Sequence, residues 1–175
     1  MCEDKTPRIY IACLEAYSKG VLHGAWLDCN QGIENIWKGI DEVLRTSPVL
    51  GAEDWAIHSY ENWQGISIGE YESIERVAEL AELLQVHGRA FAAYYNYYGS
   101  DASLAGFQEC YEGKYESEED FAYSIWYELG KLKLLETWGI LDIYIDWEAV
   151  ARDLFIDSYF SVETGYKEVY VFNRY

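Results

Sequence analysis

Basic residues are scarce. Thirteen Lys and Arg stand against 31 Asp and Glu, for a formal net charge of −18. Such a chain repels nucleic acid and anionic membrane and is drawn to basic surfaces. Solubility alone needs a far smaller imbalance. Histidine is scarce too: His23, His58 and His87 lie far apart and none sits in a metal-ligand motif. Cys2, Cys13, Cys29 and Cys110 form no C-x-x-C pair and have no histidine at ligand spacing. They read as free thiols in a reducing cytosol, which points to a cytoplasmic protein. The opening residues Met1-Cys2-Glu3-Asp4-Lys5 carry no apolar run, so no secretion signal is expected there. No stretch approaches the ~20 apolar residues of a membrane span. The phosphate-loop pattern G-x-x-x-x-G-K, the nucleophile elbow G-x-S-x-G and the zinc motif H-E-x-x-H are all missing. With 31 acids, some carboxylate pair will resemble a glycosidase dyad by chance. No catalytic residue, no metal ligand and no cofactor is assigned.

The chain is rich in aromatics, with 17 Tyr and 7 Trp among 175 residues, and half of its residues are hydrophobic. That is enough apolar matter for one sizeable core or a few small ones. The aromatics face a field that repels phosphate, so core packing and protein contacts suit them better than stacking on bases. The acids are not confined to a tail. Residues 1–60 carry net −4, residues 61–113 net −7 and residues 114–175 net −7.

Residues 8–14 read as a strand. Gly20 and Gly24 bracket a turn, and residues 24–28 follow as the hairpin partner. Ile33, Ile36, Trp37, Ile40, Val43 and Leu44 recur at helical period up to Arg45, and Trp55 to Tyr60 form a third strand. A helix is predicted from about Glu72 to His87, with Gly88 in the C′ position. Its apolar face is Ile74, Val77, Leu80, Ala81 and Leu84. Opposite runs a stripe of Glu72, Glu75, Glu79 and Glu82, about one carboxylate every ~5 Å. Two short helices follow, over 89–98 and 102–112, and residues 113–115 read as a break. Ser117 is an N-cap, and Glu118, Glu119 and Asp120 suit the first turn of the next helix. Together with Glu116 they are more charge than a cap requires. Residues 159–162 and 168–172 form a closing hairpin around Gly165.

The stretch Leu141 to Leu154 has two faces if wholly helical. Tyr144, Trp147, Ala151 and Leu154 fall on one side, and Asp142, Asp146 and Asp153 on the other, with Asp157 extending the row. Alternatively Asp146 is an N-cap, the helix starts at Trp147, and Tyr144–Ile145 is extended.

Several segments resemble the ArdA antirestriction family. They are Tyr10-Ile11-Ala12-Cys13-Leu14-Glu15-Ala16-Tyr17 with Gly20, Leu22, Gly24 and Trp26; Glu53 to Glu61; Gly69-Glu70-Tyr71; and Tyr111 to Tyr115 with Ser117 and Asp120-Phe121-Ala122. The run from Leu134-Leu135-Glu136 through Tyr144-Ile145-Asp146-Trp147 to Ala151-Arg152-Asp153-Leu154 resembles the family's antirestriction-motif region. The matches are in order and cover most of residues 8–157; the run Tyr94–Tyr98 and the first seven residues fall outside them. The resemblance implies a protein of mobile DNA that imitates B-form DNA and blocks type I restriction–modification enzymes. It implies an elongated row of three small domains and a homodimer formed through the last. The expected fold is therefore α+β. Residues 1–69 would hold a three-stranded antiparallel sheet with a helix, 70–113 an all-helical middle, and 114–175 helices with a small sheet. The acidic surface expected to stand in for phosphates comprises Glu70, Glu72, Glu75, Glu79, Glu82, Glu109, Glu112, Glu116, Glu118, Glu119, Asp120, Asp142, Asp146, Asp153 and Asp157. The dimer interface is expected at Leu134, Leu135, Trp138, Tyr144, Trp147 and Leu154. The partners are the methyltransferase core of a type I enzyme and a second copy, with no direct nucleic-acid or membrane contact. Two other readings compete: an acidic adaptor or chaperone for a basic protein, and a hydrolase using an acid pair.

Overall fold

The computed structural model describes residues 6–174. Cys2, read as a free thiol, lies outside them. β1 (Arg8–Cys13) starts with alternation: Arg8 and Tyr10 are half-buried while Ile9 and Ile11 are fully buried, the pattern of a strand with one covered face. It pairs antiparallel with β2 (Gly24–Asp28) on one side and β3 (Trp55–Glu61) on the other. Gly24 permits the first pairing, since a Cβ there would collide with the Ile11 carbonyl oxygen and press on the Tyr10 ring. The connection expected to be only a turn holds a short helix, α1 (Leu14–Ser18), which buries Ala16. α2 (Ile33–Arg45) packs on β1 and β2 and buries Ile36, Ile40 and Val43, at spacings of four and three.

One carboxylate ties this layer together. Glu15 Oε1 accepts hydrogen bonds from the backbone N–H groups of Glu53 (2.8 Å) and Asp54 (3.0 Å). These donors stabilise the charged form and hold the Glu15 carboxyl at about 2, against an ordinary 4.5. The resulting stability is present above pH 4.5 and is lost as pH falls towards 2. Glu15→Gln is therefore expected to lower the melting temperature at pH 7 and to match the unaltered protein near pH 2, in melts followed across that range.

α3 spans Ile74–Tyr98. Ser73 caps it, with the Arg76 N–H donating to Ser73 Oγ at 3.2 Å. The helix thus starts two residues later than expected, and Glu72 precedes it. Ile74, Val77, Leu80, Ala81 and Leu84 are all buried, as the periodicity predicts. Gly88, with φ 56° and ψ −139°, interrupts the helical path before it resumes to Tyr98. α4 (Leu104–Cys110) follows, capped by Ser103.

Residues 111–115, expected to be helix up to 112 and a break over 113–115, instead form β4 (Tyr111–Tyr115), paired antiparallel with a strand more than fifty residues away. The domain boundary expected after Gly113 falls inside this strand. α5 (Glu118–Glu128), α6 (Lys131–Thr137) and α7 (Trp147–Asp157) precede β5 (Tyr159–Gly165) and β6 (Glu168–Asn173), and the second sheet runs β4-β6-β5. Among the described residues the fold is thus α+β, with seven α-helices and two three-stranded antiparallel sheets. The chain divides into two compact units, one ending at Ala92 and the next beginning at Ala93.

β6 is the axis of the second unit, and its alternate residues serve two cores. Val169 and Val171 pack with Phe121 of α5, joined by Tyr115, Ile125, Leu154, Phe155 and Tyr159. Phe172 meets Phe160 (centroids 5.0 Å apart), Tyr111 (5.6 Å) and Tyr94 (5.8 Å). The tyrosine run that no motif explained belongs here. Tyr97 stacks on Phe160 at 4.1 Å, and Tyr94 meets Phe107 edge-on at 5.6 Å.

Candidate acidic interaction surface

Of the fifteen carboxylates singled out from the sequence, only Glu72 and Glu118 are half-buried; the rest are exposed. Glu75, Glu79 and Glu82 follow one another along α3 at spacings of four and three, a row of ~5 Å steps on one helix face. Glu72 does not extend the row on the helix; its carboxylate turns back towards Gly69. The three helical glutamates line a cleft of about 500 Å³, whose opposite wall is Cys29, Asn30, Gly32 and Ile33. Arg76 partly neutralises the row, with its Nη1 2.8 Å from Glu79 Oε2.

The cluster at the start of α5 is more engaged than the sequence suggests. The Asp120 N–H donates to Ser117 Oγ (3.2 Å), and Asp120 Oδ2 accepts the Glu116 N–H (3.1 Å). Lys167 Nζ lies 2.6 Å from Glu116 Oε2, and Ser161 Oγ donates to Glu118 Oε1 at 2.6 Å. The Ser117 hydroxyl holds the Glu119 carboxyl below the ordinary carboxylate range. These acids fasten α5 to the β5–β6 hairpin while Glu116, Glu119 and Asp120 stay exposed.

The stretch 141–154 follows the capping alternative, with one adjustment. Residues 142–144 form a 3-10 turn, Ile145 is extended, and the Ala149 N–H donates to Asp146 Oδ1 at 3.0 Å. Asp146 therefore caps α7, and the continuous row Asp142–Asp146–Asp153–Asp157 is not formed on one helix. Tyr144 for the same reason does not share a helix face with Trp147 and Leu154. It stands 74 % exposed, whereas Trp147 packs edge-on against Tyr123 (5.2 Å) and Trp126 (5.4 Å), and Leu154 joins the Phe121 core. Of the expected interface residues, Leu134, Trp138 and Tyr144 are open to solvent, beside exposed Leu129, Leu141 and Ile143. Leu135 lines a second cleft, of about 540 Å³, with Tyr123, Tyr127, Glu128, Glu136 and Asp142. Glu128 and Glu136 join Asp142 there; sequence reading missed them because they sit singly, in no acidic stripe.

The remaining chemistry is subdued. Burial pushes the Cys29 thiol up to about 12 and raises that of Cys110, so both stay protonated at neutral pH and make poor nucleophiles. His58 sits exposed on β3 against the Tyr17 ring at 4.8 Å. Among the described residues no helix is long and apolar enough to cross a membrane.

A search of curated proteins finds no match for the chain. The family model described as Antirestriction protein (ArdA) matches residues 9–168.

Proposed function

The chain belongs to the ArdA antirestriction family, and from that membership we propose that it occupies the DNA-binding groove of type I restriction–modification enzymes as an imitation of B-form DNA. The family acts against restriction–modification enzymes and is not a known enzyme family. The observation that supports the mimic reading best is the exposed row Glu75, Glu79 and Glu82, held on a helix whose other face is buried. B-DNA carries one charge per ~1.7 Å of axis, and proteins meet those phosphates with Lys and Arg. Carboxylates at ~5 Å steps are fewer but fixed in place, so they can fill such a groove without a flexible chain having to be ordered first. The partner is the methyltransferase core. The inhibitor acts in the cytoplasm as a homodimer joined through its C-terminal part, where Leu134, Trp138 and Tyr144 are exposed. A second copy lengthens the charged surface. Having no base edges to offer, it is indifferent to sequence. Type I enzymes that recognise different sequences should therefore be inhibited alike; inhibition confined to one specificity would refute the reading.

The cluster at α5 gives a separate check. A variant that keeps Ser117 and changes Glu116, Glu118, Glu119 and Asp120 to amides loses the Lys167 pair and part of the dipole interaction, so a modest drop in melting temperature is expected. Affinity for the core should fall beyond that drop, and the gap should close at high salt. Unchanged affinity at low salt would leave these acids with only their fastening role.

A further inference from the structure

Three residues other than glycine hold positive φ among the described residues: Asn62 (65°), Gln64 (55°) and Lys167 (55°). A side chain rarely adopts that region without compensation. Asn62 Nδ2 donates to the Thr6 carbonyl at 3.0 Å, and Lys167 Nζ lies 2.6 Å from Glu116 Oε2. Gln64 has no such tie: among the described residues nothing hydrogen-bonds its carboxamide. Its neighbour Trp63 is buried and donates Nε1–H to the Arg8 carbonyl at 2.9 Å, which holds the loop in place. Gln64 borders a hollow of about 280 Å³ with Thr6, Pro7, Asn30, Leu84 and Gln85. Three carboxamides thus line one hollow, those of Asn30, Gln64 and Gln85, and none is bonded to another described residue. Asn30 Oδ1 is shielded from solvent and has no partner. A buried acceptor in that state costs free energy until a donor reaches it. Asn30 and Gln85 also line the cleft of Glu75, Glu79 and Glu82, so the hollow continues the acidic row.

We propose that this hollow receives a peptide group of the protein that faces the glutamate row, paired through its N–H and C=O with Asn30, Gln64 and Gln85. This rests on the function proposed above and adds a neutral contact to the charged ones on the same face. The lining selects the ligand. It carries no charge, and its carboxamides both donate and accept. A phosphate has no hydrogen to donate at neutral pH, and a Lys or Arg side chain accepts nothing. A nucleobase edge both donates and accepts, but a chain carrying −18 repels the phosphates that come with it. A main-chain amide meets both conditions, and the lining residues shared with the acidic cleft bring it from the same partner. A loop already fixed loses little freedom on docking.

The test measures affinity of the full chain for a purified type I methyltransferase core across a salt series, beside thermal melts. Glycine at position 64 takes positive φ without strain, and leucine at position 30 replaces the unpaired acceptor by an apolar group of similar shape. Neither Gln64→Gly nor Asn30→Leu should therefore lower the melting temperature. Each should weaken binding about threefold and the two together about tenfold, with the slope of log Kd against log salt unchanged because no charge is altered. A role in the fold alone predicts unchanged binding. Gln85→Ala, at an exposed helix position, should also weaken binding, and it decides the matter if a loop variant fails to fold. Affinity equal to the unaltered chain in the combined variant or in Gln85→Ala overturns the proposal, and so does a loss that vanishes at high salt. Binding of the unaltered chain without DNA displacement refutes the mimic reading while leaving the amide variants to decide this one. No binding by the unaltered chain overturns both.

Discussion

Changing Glu72, Glu75, Glu79 and Glu82 together to glutamine is expected to weaken inhibition roughly tenfold at low salt, while each single change weakens it by less than about twofold. These groups are partly or fully exposed, so solvent screens each one and none dominates. Their effect arises from summation over the row Glu75, Glu79 and Glu82 with Glu72 ahead of the helix, as it does for successive phosphates. The fold should survive. Glu75 loses a first-turn dipole interaction worth roughly 0.3–1 kcal/mol, and Glu79 loses an exposed pair with Arg76 worth about 0.3–0.5 kcal/mol. Inhibition assays beside thermal melts separate the two effects. Complete loss of activity from one single change, with melting intact, would mean a discrete site rather than a distributed charge.

Phe172→Ala is expected to destabilise the second unit by about 3–5 kcal/mol, out of a typical total of roughly 5–15 kcal/mol. The side chain is fully buried on the central strand of the second sheet. It stands opposite Phe160 in register and touches rings from three other positions, Tyr94, Tyr111 and Phe107. Its loss leaves a cavity among rings that stacking and edge contacts hold in place, and β-strands cannot close it without breaking pairing on both sides of β6. Chemical denaturation should show the midpoint falling with the slope unchanged. A cost under ~1 kcal/mol would mean that this aromatic core is looser than the ring geometry indicates.

Local patterns were legible and distant pairings were not. β1, β2, β3 and the β5–β6 hairpin follow from short β-prone runs between turn residues, and α2 and the first part of α3 from apolar spacing. β4 escaped because Tyr-Glu-Gly-Lys-Tyr has only half-buried and exposed positions and a glycine at φ 143°, and its partner is remote in sequence. α1 escaped because five residues carry too little periodicity. At 141–154 the pattern fits a continuous helix, but the Asp146 side chain satisfies the N–H of Ala149 and starts the helix there. The positions of the acids could be read directly. Their engagements could not, because Glu116 finds Lys167 across 51 residues and Glu118 finds Ser161 across 43. Nor does the sequence show that Glu75, Glu79 and Glu82 face the turn after β2 across a cleft.

The central claim is that carboxylates of this chain take the place of DNA phosphates. Its most direct test is a competition titration in which a labelled duplex bound to a purified type I methyltransferase core is displaced by the full chain over a series of salt concentrations. The account predicts full displacement of the duplex at low salt, whatever its sequence, and an inhibitor affinity that falls steadily as salt rises. A chain that binds the core while the duplex stays in place would contradict it.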